Sequence, residues 1–222
     1  MGNPKSNSYC RFLCLLVVLF AMVSCSPAHG QVPAFAGESQ FSAAKDKQTA
    51  VLAGGCFWGV DAVFRHVRGV KSVVSGYSGG TAKAPSYDTV STGKTGHAES
   101  VKITYDASKV RYSDLLRIFF SVATDPTQLN QQGPDTGSQY RSVIFYTSED
   151  QKQTALAYVE QLNKAKVFSG PIVTAVVPLN AFYTAERYHQ DYLALHPDDE
   201  YIVYNDLPKL RALKKEFPDL YK

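Results

Sequence analysis

The run Gly54-Gly55-Cys56-Phe57-Trp58-Gly59 stands between a strand signal and a helix signal, and this junction most restricts how the chain can fold. The short apolar run Thr49-Ala50-Val51-Leu52-Ala53 leads into it and reads as a strand. After it, Val60, Val63, Phe64 and Val67 recur at the spacing of one helix face. Cys56 is therefore expected at a strand-to-helix turn, near a helix N-terminus. Unpaired backbone N–H groups and the positive dipole end gather there and favour a thiolate. Such a setting can lower a cysteine pKa from ~8.5 into the range ~3.5–7.5. Two glycines ahead of the sulfur allow a tight turn and an open approach. Phe57 and Trp58 are placed to wall a small apolar pocket. A free cysteine is also commonly an inert buried hydrophobe, and the local run by itself leaves both readings open.

Cysteine usage narrows the choice. Of four cysteines, Cys10, Cys14 and Cys25 fall within residues 1–30, and only Cys56 belongs to the body. Residues 1–30 read as a secretory signal: Lys5 and Arg11 supply a positive start, Phe12 to Val23 an apolar core, and small residues follow. That core is too short for an ordinary spanning helix. Two processing routes are open. Met22-Val23-Ser24-Cys25 resembles a lipobox, which would leave a lipid-anchored Cys25, although its first position is usually leucine. Ala28-His29-Gly30 resembles an Ala-x-small cleavage site. The expected location is outside the cytoplasm, periplasmic or membrane-attached. Exported proteins usually use cysteines in pairs, so a leftover Cys56 points to a reactive role.

Residues 31–47, rich in Ser, Ala, Gly and Gln, read as a flexible linker, and 48–222 as one domain. Further strands are expected over Val70–Gly76, Ala98–Tyr105, Tyr140–Tyr146 and Ile172–Val177. Helices are expected over Ser113–Val122, Ser148–Lys164, Ala185–Leu195 and from Pro208 to before Pro218. Ser113 and Ser148 are the expected N-caps. Ser86–Ser91 reads as a helical turn and Gly133–Ser138 as a loop. Alternating strands and helices imply an α/β or α+β sandwich, a mixed sheet with flanking helices.

Several chemistries are excluded. A net charge of +3 without a basic, aromatic-interleaved stripe does not suggest nucleic acid. Gly93-Lys94-Thr95 lacks the upstream glycine of a phosphate loop. Glu186 and His189 have the Glu-x-x-His spacing of carboxylate metal sites, but those need a second such pair, so no metal is expected. Taken alone, Glu99 reads as a solvent-facing strand residue. Tyr87, Tyr140 and Asp135 read as loop or packing residues and gain meaning only as a group around Cys56.

Four motifs supply that grouping: residues 54–59, Gly96-His97-Ala98-Glu99, Gly133-Pro134-Asp135-Thr136-Gly137-Ser138-Gln139-Tyr140-Arg141-Ser142, and Phe182-Tyr183-Thr184-Ala185-Glu186-Arg187-Tyr188-His189-Gln190. In this order, from about Thr49 onward, they resemble the peptide methionine sulfoxide reductase A family. The resemblance implies a two-layer, ferredoxin-like α/β sandwich. Thr124, where the family commonly has His, is one departure.

The resemblance implies reduction of (S)-methionine sulfoxide, free or in proteins, to methionine. Cys56 would attack the sulfoxide sulfur and become a sulfenic acid. Glu99 would protonate the leaving oxygen, since a carboxyl in an apolar pocket holds its proton to higher pH. Tyr87 and Tyr140 would hydrogen-bond that oxygen, Asp135 would help fix the site, and Phe57 and Trp58 would hold the methyl group. No cofactor is expected. No cysteine follows Cys56, and Cys25, the one conceivable internal partner, is lost or modified if the leader is processed, so the sulfenic acid needs an external thiol: thioredoxin, glutaredoxin or a small thiol. A monomer is expected. The competing readings are a thiol peroxidase, which also needs one activated cysteine, and an exported lipoprotein that only binds methionine-rich partners.

Overall fold

The computed structural model describes residues 31–37 and 47–222. The signal segment with Cys10, Cys14 and Cys25 lies outside the described residues. The strands are β1 (Lys47–Ala53), β2 (Val70–Ser78), β3 (Ala98–Asp106), β4 (Gln131–Gln132), β5 (Asp135–Thr136), β6 (Val143–Tyr146), β7 (Ala175–Pro178) and β8 (Phe182–Thr184). The α-helices are α1 (Phe57–Arg65), α2 (Tyr87–Val90), α3 (Tyr112–Ile118), α4 (Glu149–Lys164), α5 (Tyr192–Leu195) and α6 (Leu207–Glu216). Six strands form one mixed sheet in the order β7-β6-β1-β3-β2-β8, and β4 pairs with β5 as a separate ribbon. Within the large sheet only β6 and β7 run parallel.

The strand period of two divides the apolar residues between the faces of this sheet. Ala50 and Leu52 of β1 join Val101 and Ile103 of β3 in the main core, under α1, α3, α4 and α6. Val51 and Ala53 turn the other way, to Ala98, Val143 and Phe145. The same alternation puts Glu99 on the face of Val101 and Ile103. Glu99 is thus carried under α1 rather than into solvent, and only 2% of it is exposed. The helix stripe anticipated over Val60, Val63, Phe64 and Val67 is buried, each residue contributing about 1.5–3 kcal/mol by burial.

The structure departs from expectation in several places, among them the strand expected over Ile172–Val177, which begins only at Ala175, and the helix expected over Ser113–Val122, which passes into a π-helical turn at Phe119. Residues 31–37 are docked rather than free. Val32 and Phe35 enter the main core, Tyr158 donates to the Pro33 carbonyl at 2.6 Å, and Arg117 donates to the Val32 carbonyl at 2.8 Å. Two apolar side chains and a run of carbonyl acceptors outweigh the Ser/Ala/Gly composition. Ser113 does not cap α3, which starts after Arg111, where Asp114 accepts the Arg111 N–H at 3.0 Å. Tyr140 lies in a 3₁₀ turn, Ser138–Tyr140, and the strand begins only at Val143. The helix expected over 185–195 is instead a 3₁₀ turn, Arg187–His189, followed by α5. Asp191 between them takes a left-handed φ of 55° and breaks the path. By contrast, Ser148 caps α4 as expected, accepting the Gln151 N–H.

Candidate active site

β1 ends at Ala53, and Gly54-Gly55 reverse the chain into α1. Gly55 has φ +95°, and a Cβ on it would stand 2.5 Å from Gln132 Cγ. Both the left-handed backbone and the close approach therefore require glycine. Cys56 takes the N-cap position of α1, as its place between strand and helix predicts.

Cys56, Phe57, Trp58, Tyr87, Glu99, Asp135, Tyr140 and Tyr201 line one pocket of about 150 Å³. The structure thus brings together all seven residues anticipated from sequence, from β1–α1, α2, β3, β5 and the Ser138–Tyr140 turn. Tyr201 is the addition. It sits in the tail, beyond every motif, and donates a hydrogen bond to Asp135. Nothing in its local sequence marks it among 14 tyrosines.

Glu99 is tied to the Cys56 turn through the Phe57 N–H, which donates to its carboxyl at 3.0 Å. Burial is the largest influence on this acid and pushes it up from 4.5 to about 8. The Phe57 N–H and a hydrogen bond with Cys56 pull the other way, and Asp135 adds to the rise. A carboxyl that would be ionised in water thus keeps its proton near neutrality.

The lowered thiol pKa expected for Cys56 is not found. Burial pushes the thiol well above its ordinary value, and Glu99 and Asp206 push the same way. The Trp58 N–H and Lys209 oppose this without overcoming it. The helix start contributes as the sequence suggests, but it acts on a sulfur removed from water, and desolvation is the larger effect. The resting site therefore holds its protons on both Cys56 and Glu99.

The aromatic wall is itself held. Trp58 stacks on Tyr192 with ring centroids 3.7 Å apart and planes 5° apart. Its Nε1–H donates to His189 Nδ1 at 3.1 Å, and Tyr201 meets it edge-on. Phe57 packs against His189 and Tyr77. Glu186 accepts the Tyr87 N–H at 2.9 Å and the Tyr77 hydroxyl at 2.8 Å. The Glu186/His189 pair thus holds Tyr87 and Trp58 in place. Among the described residues, no group of three His, Cys, Asp or Glu side chains is placed to hold a metal ion. The hydroxyls of Tyr87, Tyr140 and Tyr201 are pushed up, chiefly by burial, and so remain protonated donors.

The family model for peptide methionine sulfoxide reductase matches residues 48–220. The peptide methionine sulfoxide reductase MsrA 2 of Mesorhizobium japonicum is 59% identical over 179 residues, 81% of this chain and 92% of that protein. The MsrA 2 of Synechocystis is 51% identical over 179 residues, 81% of this chain and 84% of that one. Among solved structures, Mxr1 from Saccharomyces cerevisiae in reduced form superposes with a TM-score of 0.63 at 33% identity, covering 72% of this chain and 90% of that one. Methionine sulfoxide reductase A of Corynebacterium diphtheriae gives 0.60 at 34% identity, covering 68% and 76%.

Proposed function

The chain belongs to the peptide methionine sulfoxide reductase family, and from that premise we propose how its pocket performs the reaction. The enzyme carries out thiol-dependent reduction of methionine sulfoxide, a repair of oxidised protein. The observation that carries the mechanism is a buried acid, Glu99, held protonated to about pH 8 and bonded to the turn that bears the only described cysteine.

The sulfoxide enters with its methyl group against Phe57 and Trp58, where sulfur-linked carbon packs well on aromatic faces. Its oxygen faces Glu99, Tyr87 and Tyr140. Glu99 gives its proton to that oxygen, and the Cys56 thiol proton returns to the Glu99 carboxylate. The Cys56 sulfur attacks the substrate sulfur, and the S–O bond breaks. That leaves a Cys56–substrate sulfonium and a hydroxide; the hydroxide attacks the Cys56 sulfur, the S–S bond breaks with its electrons going to the substrate sulfur, and methionine leaves a Cys56 sulfenic acid behind. Two electrons pass from the thiol sulfur to the substrate sulfur, so the step balances without another reactant. Proton delivery in the substrate complex replaces a standing thiolate, which agrees with the raised thiol of the resting site.

Reset needs an outside thiol of thioredoxin, glutaredoxin or small-molecule type. That thiol attacks the sulfenic sulfur, water leaves, and a second thiol resolves the mixed disulfide. The absence of any cysteine after Cys56 supports this route. The family resemblance assigns the S epimer, each epimer requiring its own enzyme. A ferredoxin-like reading of the fold is supported by the inner strand order β6-β1-β3-β2.

The test sets pure S and R sulfoxides of a blocked methionine beside hydrogen peroxide, with dithiothreitol as reductant. Turnover of the S form alone is expected. Turnover of peroxide alone would overturn the assignment.

A further inference from the structure

The last turn before α6 brings a charge pair to the back of the catalytic helix. Residues Ile202–Asp206 form a π-helical turn, a rare geometry concentrated at functional positions. Both of its flanks reach the site. Tyr201, just before it, bonds Asp135. Asp206, its final residue, is fully buried and lies against Gly59 of α1. A Cβ on Gly59 would collide with the Asp206 carboxylate, and would stand 2.8 Å from Lys209 Nζ. The glycine closing the cysteine motif is thus a notch in which this pair is seated.

The pair is poorly suited to a purely structural role. Lys209 Nζ bonds Asp206 Oδ1 at 3.1 Å, while Asp206 Oδ2 is buried with no partner. A half-satisfied buried carboxylate costs stability. Ile202, Leu207 and Leu210 already pack this segment onto α1 through Ala62 and Trp58.

We propose that Asp206 and Lys209 are positioning residues that set the charge state of the Cys56 sulfur, opposing each other from the Gly59 notch. Gly59 lies three residues beyond Cys56 on α1, so the pair stands about one helical turn from the sulfur, where the Asp206 charge disfavours the thiolate and the Lys209 charge favours it. The other groups facing the sulfur are Glu99 from β3, Tyr87 from α2, and Tyr192 and Tyr201 from the tail. Asp135 of β5 and Tyr140 of the 3₁₀ turn complete the pocket. Of all these, Lys209 is the one cation. The net effect is a thiol kept quiet until substrate arrives, and one still able to ionise when it does.

The inference rests on Cys56 being the nucleophile, but its test reads the sulfur directly and needs no turnover. Iodoacetamide alkylation of Cys56 is followed by peptide mass spectrometry from pH 6 to 10 in the full chain. Variants are Asp206→Asn, Lys209→Met, Lys209→Arg and the double Asp206→Asn/Lys209→Met, each checked for folding by circular dichroism. At pH 8, alkylation should rise about tenfold in Asp206→Asn and fall about tenfold in Lys209→Met, the low end of a neighbouring charge's effect. The double variant and Lys209→Arg should lie near the parent. Should Lys209→Met not fold, the rise in Asp206→Asn and its cancellation in the double variant decide. A structural role moves both single variants the same way, through looser packing. That outcome, or an unchanged profile in Asp206→Asn, overturns the proposal.

Discussion

The Phe57 N–H donates to the Glu99 carboxyl at 3.0 Å, across 42 residues of sequence. One bond therefore ties the turn that carries Cys56 to the buried Glu99 carboxyl. Burial nevertheless outweighs this bond. A helix-start N–H pulls the Glu99 pKa down, yet the acid still rests at about 8.

Glu99→Gln keeps the side-chain shape but has no acid proton to give. Single-turnover reduction should slow by roughly 10²–10⁴-fold, the usual worth of a general acid. In the parent the rate should fall above about pH 8 as Glu99 ionises, and in the variant that limb should vanish. Rapid-quench measurement of methionine release across pH checks both. An unchanged rate would assign Glu99 to structure.

The same residue makes stability depend on pH. Its pKa is higher folded, about 8, than the ordinary 4.5, so the folded state binds more protons between these values. The Glu99 contribution is therefore fully present below 4.5 and is lost as pH rises through about 8. Thermal melts of the parent and Glu99→Gln should diverge over this window, the variant gaining on the parent towards alkaline pH. Parallel Tm curves would contradict the raised acid.

Trp58 lines the Cys56 pocket and is braced by Tyr192 and His189, and in the proposed reaction its face holds the substrate methyl group. Trp58→Ala should raise KM about tenfold, the scale of a lost sulfur–aromatic contact. Steady-state kinetics on free and peptide-bound sulfoxide test this. An unaltered KM removes Trp58 from the methyl pocket.

Tyr201→Phe deletes the hydroxyl that holds Asp135. Loss of a hydrogen bond to a carboxylate is worth about 1.5–3 kcal/mol. If Asp135 fixes the pocket, kcat should drop about tenfold or more in kinetic assays. Wild-type kcat would leave Tyr201 outside the mechanism.

The signal reading of residues 1–30 predicts a processed, extracytoplasmic protein. Mass spectrometry of the mature N-terminus should find a start at lipidated Cys25 or at Gln31. An intact Met1 in the cytosol would refute export.

Much of the site was legible because its chemistry sits in short runs. Cys56, Phe57 and Trp58 follow a strand, whereas Glu99, which alone reads as a solvent-facing strand residue, joins them through the four-motif resemblance. Tyr201, Asp206 and Lys209 were not legible. They reach the pocket by tertiary docking of a tail whose own pattern carries no chemistry. The raised thiol of Cys56 was hidden for a related reason. A helix N-terminus can be read from sequence, but the water excluded from it depends on packing by distant segments. The docking of Val32 and Phe35 likewise rests on two apolar side chains in an otherwise linker-like composition.

The central claim is that Cys56 alone takes the sulfoxide oxygen. The most direct measurement treats the purified, reduced chain with one equivalent of (S)-sulfoxide and no reductant. Methionine is then counted, and Cys56 is probed with a sulfenic-acid reagent by peptide mapping. One methionine per chain and a trapped Cys56 sulfenic acid are predicted. Two methionines per chain, or an internal disulfide, would contradict the account.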